Sequence, residues 1–147
     1  MAAMYGLLWV VGWAIRPSTY SLATLAPHAG EIELITSRRS GEALPETFND
    51  HMAEALSLLQ TATRSTLGLF PRYDKDSVLT TLGHLQQAQT LAHNPDQQAE
   101  ATFYLAKAHL MLEQASEARQ ALGRVAQVGT SSYTKPAQAL LQKLEQP

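Results

Sequence analysis

The chain contains no cysteine. That excludes disulfide frameworks, cysteine-ligated zinc, thiolate catalysis, iron–sulfur clusters and covalently attached haem. It leaves the redox compartment open, because a cysteine-free chain is stable in any. Charge is scarce as well: 16% of the 147 residues are charged, against about 25% in an ordinary soluble domain. With a net charge of −2 there is no strongly basic surface, so nucleic acid is not the expected partner. The low charge does not signal disorder, because 45% of the residues are apolar. No glycine-rich phosphate loop, Gly-x-Ser-x-Gly elbow or deaminase pattern occurs. The length suits one domain, or a small domain plus an anchor.

Ligand and catalytic clusters are equally thin. The histidines are His28, His51, His84, His93 and His109, and no two are three or four apart, so no single helix offers a metal pair. Asp50 and Glu54 share a helical face at i, i+4 and read as solvated charges, not as an acid/base pair. Asp74 and Asp76 flank Lys75, but the glycine and further ligands of a calcium loop are missing. The expectation is a chain without metal, cofactor or catalytic activity.

What is present begins with an apolar run. Residues 2–15, AAMYGLLWVVGWAI, carry no charge, and Arg16-Pro17 ends them. A spanning helix needs about 20 apolar residues, so this run reaches across a thin bilayer only if Arg16 snorkels. Tyr5, Trp9 and Trp13 fall four apart, on one helical face. The leading reading of residues 1–16 is a membrane-associated segment, single-pass or lying in the interface. A cleaved signal peptide and a buried element of a soluble domain are the alternatives, the former lacking a basic n-region.

Residues 17–44 form a linker punctuated by Pro17, Pro27, Gly30 and Gly41. Glu31 to Ile35 alternates polar and apolar like a short strand, but with no partner in view an extended segment is expected.

From residue 45 to the end the pattern is that of amphipathic helices, so the fold class is all-α. Pro45 and Glu46 suit a helix start, and Met52, Leu56, Leu59, Ala62 and Thr66 recur at threes and fours. Gly68 and Pro71 end that helix, and the loop 68–74 carries Phe70 and Tyr73, expected to fold back on the core. A second helix is predicted over 76–92, with Val78, Leu82, Leu85 and Gln89 on one face, flanked by Leu79, Ala88 and Leu91. Asn94-Pro95-Asp96 then opens a third, running to about Glu113 and apolar enough to be packed on two faces. A fourth is predicted over 116–128, with Ala118, Ala121, Leu122 and Val125 inward and Gly129 as a left-handed cap. A fifth spans 134–145, with Thr134 as N-cap and Ala137, Leu140, Leu141 and Leu144 as its apolar stripe.

Leu105-Ala106, His109, Ala118, Leu122 and Val125 stand at the positions that a tetratricopeptide repeat gives to Leu-Gly, Tyr, Ala, a large apolar residue and Ala. Small residues at 106 and 118 let two antiparallel helices approach. The third and fourth helices therefore resemble one such repeat of about 34 residues, with Glu113 standing where the turn usually has glycine and no closing proline near residue 130. At its core-like position His109 is expected to make one hydrogen bond. The first two helices resemble an earlier, divergent repeat, and the last helix a terminal cap.

A looser resemblance covers more of the chain. Ala101 to Ala106 (ATFYLA) followed by Gly129 to Tyr133 (GTSSY) looks like the periplasmic C-terminal part of bacterial membrane-anchored anti-sigma-type proteins. Those carry a cytoplasmic zinc finger, a membrane span, a connector and a periplasmic repeat domain. The zinc finger is absent here, so anti-sigma activity is not implied.

These readings converge on a membrane-anchored, repeat-like scaffold for protein–protein interaction. The membrane would be bacterial, with the helical domain on the periplasmic side. Its partners would be other proteins and, through residues 1–16, lipid. The candidate groove residues are Tyr104, Lys107 and Met111 on the third helix and His51 and Glu54 on the first, all taken to be less buried. The alternative is a structural accessory subunit of a multi-subunit membrane complex, respiratory or photosynthetic.

Overall fold

A computed structural model describes Leu22, residues 47–66 and residues 70–145. Five helices build it: α1 (Phe48–Ala62), α2 (Lys75–Leu91), α3 (Pro95–Met111), α4 (Ala115–Gln127) and α5 (Thr134–Glu145). Between α1 and α2 lies a short antiparallel ribbon, β1 (Thr63–Thr66) paired with β2 (Phe70–Tyr73), with Thr63 opposite Tyr73 and Thr66 opposite Phe70. The expected all-α architecture of the C-terminal region holds, apart from that ribbon. The predicted membrane segment, with Tyr5, Trp9 and Trp13, and the linker lie outside the described residues, except for Leu22. Among the described residues no helix is long and apolar enough to cross a membrane.

Side-chain caps set the starts of two helices. Thr47 precedes α1 as a capping residue: its hydroxyl accepts from the Asp50 amide at 3.3 Å, and Asp50 Oδ2 accepts from the Thr47 amide at 3.0 Å. This reciprocal pair satisfies two donors that the helix start would otherwise leave open. It places the start at Phe48, two residues beyond the predicted Pro45-Glu46. At α3 the Asn94 side chain accepts from the Gln97 amide at 2.8 Å, and Pro95 takes the first helical position as expected.

Helix α3 is the hub. Residues 101–108 are all buried, as are Ala99, Leu110 and Met111. A helix flanked by neighbours on two sides needs few polar positions, which is why its sequence is apolar nearly all round. Helix α4 presents the narrow stripe predicted, with Ala118, Ala121, Leu122 and Val125 buried; on α5 Ala137, Leu140 and Leu144 are buried, while Leu141 of the predicted stripe is only half-buried. Leu22 belongs to the same buried cluster.

Each helix packs chiefly on its neighbours in sequence, α1 on α2, α2 on α3, α3 on α4 and α4 on α5. Side-chain contacts show the directions. His51 near the start of α1 meets His84 in the second half of α2. Gln89 near the end of α2 bonds Thr102 in the first half of α3. Arg119 in the first half of α4 bonds the Leu144 carbonyl at the end of α5. Successive helices are therefore antiparallel, as a chain of helical hairpins requires.

Several local expectations are corrected. Thr66 lies in β1, not on the first helix, which ends at Ala62. The predicted loop 68–74 contains β2, closed onto α1 by the Asp74 amide donating to the Ala62 carbonyl at 3.0 Å. Tyr73 packs against the core as expected. On α2 the fully buried positions are Val78, Thr81, Leu85 and Ala88, while Leu82 is only half-buried. The face is rotated toward Thr81, whose hydroxyl is satisfied by the Ser77 carbonyl at 2.8 Å. Thr134 is not an N-cap acceptor: its hydroxyl donates to the Val128 carbonyl.

The left-handed residue is also not where it was expected. Gly129 has no positive φ, and Glu113 has φ 61°. The Glu113 amide bonds the Leu110 carbonyl at 3.1 Å and the Gln114 amide the His109 carbonyl at 2.9 Å. Those two bonds define a Schellman turn, which reverses the chain between α3 and α4 in three residues.

Candidate functional site

The five side chains singled out for partner binding fall into two groups. Tyr104 is 1% exposed, and Lys107 and Met111 are each 7% exposed. They were expected to be less buried, yet they belong to the packed face of α3. Tyr104, Phe103 and Tyr133 form an aromatic cluster: Tyr133 lies 5.3 Å from Phe103 and 6.1 Å from Tyr104 between ring centroids, and Phe103 lies 5.8 Å from Tyr104 edge to face. Such tilted pairs suit the ring quadrupoles. Lys107 Nζ lies 5.2 Å from the centroid of Tyr104, so the buried ammonium is held partly by the ring face. The Tyr133 hydroxyl donates to Glu100 Oε1 at 3.1 Å. This cluster ties the segment before α5 back onto α3, a structural task. His51 and Glu54 are half-buried on α1 and keep part of their surface in solvent.

The structure brings together two histidines that sequence spacing kept apart. His51 Nδ1 and His84 Nδ1 are 3.2 Å apart across the α1–α2 interface, with ring centroids 5.5 Å apart and tilted by 42°. The sequence signal was absent because the pairing is made by helix packing over 33 positions. Among the described residues no group of three or more His, Asp or Glu side chains converges as a metal site. His109 makes the single bond expected of it, to Gln114 Oε1 at 2.7 Å, which braces the turn after α3. Asp50 serves as the α1 cap, its Oδ2 accepting from the Thr47 amide and hydroxyl.

A cleft of about 300 Å³ lies where the end of α2, the start of α3 and the end of α4 meet. Gln89, Gln98, Thr102, Arg124 and Gln127 line it beside the apolar Pro95, Ala99, Val125 and Val128. Thr102 is at its base, 4% exposed, with its hydroxyl accepting from Gln89 Nε2 at 2.6 Å and donating to the Gln98 carbonyl at 2.6 Å. That leaves amide groups and one guanidinium facing solvent. Such a lining can pair a peptide backbone and one carboxylate, but it contains no nucleophile with a base beside it. Residue spacing carries no sign of this cleft, because its walls come from three helices and its polar residues read as ordinary surface glutamines.

Compared with protein-family models, with curated proteins and with solved structures, the chain has no significant match to any of them.

Proposed function

We propose that this chain is a membrane-anchored helical-repeat scaffold that binds another protein and carries no catalytic activity. The observation that carries the reading is the consecutive antiparallel packing of five helices, with a three-residue Schellman turn between α3 and α4. Stacked hairpins of this kind use their inter-helix clefts and faces for peptide recognition. The tetratricopeptide resemblance of residues 105–125 is in keeping with the buried, 0% exposed Ala106 and Ala118 at its close-approach positions. The proposed recognition surface is the α2–α3–α4 cleft, with Arg124 taking a partner carboxylate and Gln98 and Gln127 its backbone. The half-buried His51 and Glu54 on α1 mark a second candidate edge. Residues 1–16 would hold the domain at a bacterial membrane, on the periplasmic side, and raise its effective concentration beside its partner.

The test is fractionation of native membranes with carbonate and then mild detergent, with mass spectrometry of what elutes with the chain. The proposal expects retention in the carbonate pellet and a fixed partner, lost on Arg124→Glu while the chain stays in the membrane. Release into the soluble fraction overturns the anchor. An unchanged partner set with Arg124→Glu overturns the cleft as the binding surface. A stoichiometric assembly that survives detergent and ignores Arg124 identifies an accessory subunit of a membrane complex instead.

A further inference from the structure

We propose that the side of the array formed by α1 and α3 is a docking surface for this chain's own segment around Leu22, which fills it as an intramolecular ligand. The inference goes beyond the scaffold reading and holds whether or not residues 1–16 meet a membrane.

The argument starts from α3. Residues 101–108 are buried without a break, so cover reaches this helix from every side. Helices α2 and α4 supply one side, where Ala99 and Thr102 look into the cleft between them. Tyr104, Lys107 and Met111 stand about 140–180° round the helix from Thr102 at 100° per residue, and they are buried too. The Tyr133 ring covers the Tyr104 end of that stripe. Neither α1 nor α5 packs closely on α3, so the Lys107–Met111 end takes its cover from outside the five helices. Helix α1 repeats the pattern. Ala53 and Leu56 lie about 140–160° round from His51, the residue that meets α2, yet they are 2% and 3% exposed.

The occupant is marked by Leu22. It has helical backbone, is 4% exposed and belongs to the same buried cluster as Ala53, Leu56, Tyr104 and Met111. Leu25 and Ala26 follow it at i+3 and i+4, the spacing of one apolar helical face. The segment carries no charge from residue 17 to residue 27, so it suits an apolar seat. The chain from residue 22 to residue 47 reaches up to about 80 Å when extended, so the connector does not keep Leu22 from this side. Tyr104, Lys107 and Met111 are then contacts within the chain, and an external partner is left the α2–α3–α4 cleft on the opposite side of α3.

The experiment is NMR of the full chain with labelled Leu and Met methyl groups and Tyr rings, the Leu22 signals being assigned by their loss in Leu22→Ala. The expected result is a set of Overhauser contacts from the Leu22 methyls to Leu56 on α1 and to Met111 or the Tyr104 ring on α3. Their absence overturns the proposal. Contacts seen only between differently labelled chains in a mixed sample overturn it as well, because a second copy then supplies the segment. Hydrogen exchange of Leu22→Asp is the second measurement. Exchange of the α3 amides over 104–111 should rise about tenfold to a hundredfold, the worth of one buried leucine, and fall again when a peptide of residues 17–30 is added. The same peptide carrying Leu22→Asp should have no effect, and equal protection by both peptides overturns the docking. Should Leu22→Asp fail to fold, the Overhauser contacts of the unaltered chain decide.

Discussion

Glu113 holds a backbone conformation, φ 61°, that an L side chain adopts only at a cost. The sequence places it where a repeat turn ordinarily has glycine, and the structure shows why glycine belongs there: the two Schellman bonds require a left-handed residue. Glu113→Gly is expected to raise stability by about 0.5–1 kcal/mol, the relief of Cβ crowding less the greater entropy of glycine in the unfolded chain. Chemical denaturation would show it as a higher midpoint at unchanged slope. Nearby, Glu117 has its carboxyl held below the usual carboxylate range, first by the Ser116 hydroxyl at 2.5 Å and then by its own amide at the start of α4. Nearby His109 lowers it further by its charge, against a small opposing effect of burial. A depressed folded value means a stabilisation present above the unfolded value and lost as pH falls through the folded one. Ser116→Ala should therefore move the Glu117 titration, followed by carboxyl NMR shifts, upward and shrink that acid-side loss. A titration that does not move would show that the hydroxyl is not the cause.

At the scale of elements, helix positions were more legible than helix edges. The apolar stripe of α4 follows from periodicity alone, because the helix packs one face and leaves the other in water. Edges depend on side-chain caps such as Thr47–Asp50, whose reach decides where the first turn begins. Gly83 in α2 and Gly123 in α4 have open space where a Cβ would stand. Each glycine costs its helix about 0.5–1 kcal/mol relative to alanine. The double variant Gly83→Ala/Gly123→Ala should thus gain about 1–2 kcal/mol by thermal or denaturant unfolding, the two sites adding because they lie on separate helices. At the other end of the array, Arg119 Nη2 donates to the Leu144 carbonyl at 2.8 Å, closing the last turn of α5. Arg119→Met should cost about 1 kcal/mol and speed hydrogen exchange of the α5 amides before those of α3. Uniform loss of protection along the chain would show that α5 has no separate stability.

For the whole molecule, the buried cluster runs from Leu22 and Phe48 through α3 to Leu144. Phe103, fully buried at the centre of α3, touches Tyr104 on its own helix and Tyr133 before α5. Phe103→Ala is expected to cost about 3–5 kcal/mol and to lower protection in helices on both sides of α3. A loss confined to α5 would mean that the aromatic cluster serves only to dock the last helix. The contacts between helices belong to this scale too. The α2–α3–α4 cleft and the His51–His84 pair are each assembled from more than one helix, so residue spacing along the chain carried no sign of either.

The amino-acid sequence by itself determined the helical class of residues 48–62 and 75–145, the inward stripe of α4, the Asn94-Pro95 start and the two-sided burial of α3. These follow from local rules, namely a 3.6-residue period, fixed proline geometry and side chains that reach backbone donors within one turn. Only the tertiary structure decided that Tyr104, Lys107 and Met111 are buried and that His51 faces His84. It also decided that Glu113, and not Gly129, carries the left-handed turn. Burial and pairing between helices depend on the rotation of each helix about its axis. That rotation is settled by the packing of both neighbours at once, a condition that no single stretch of sequence states.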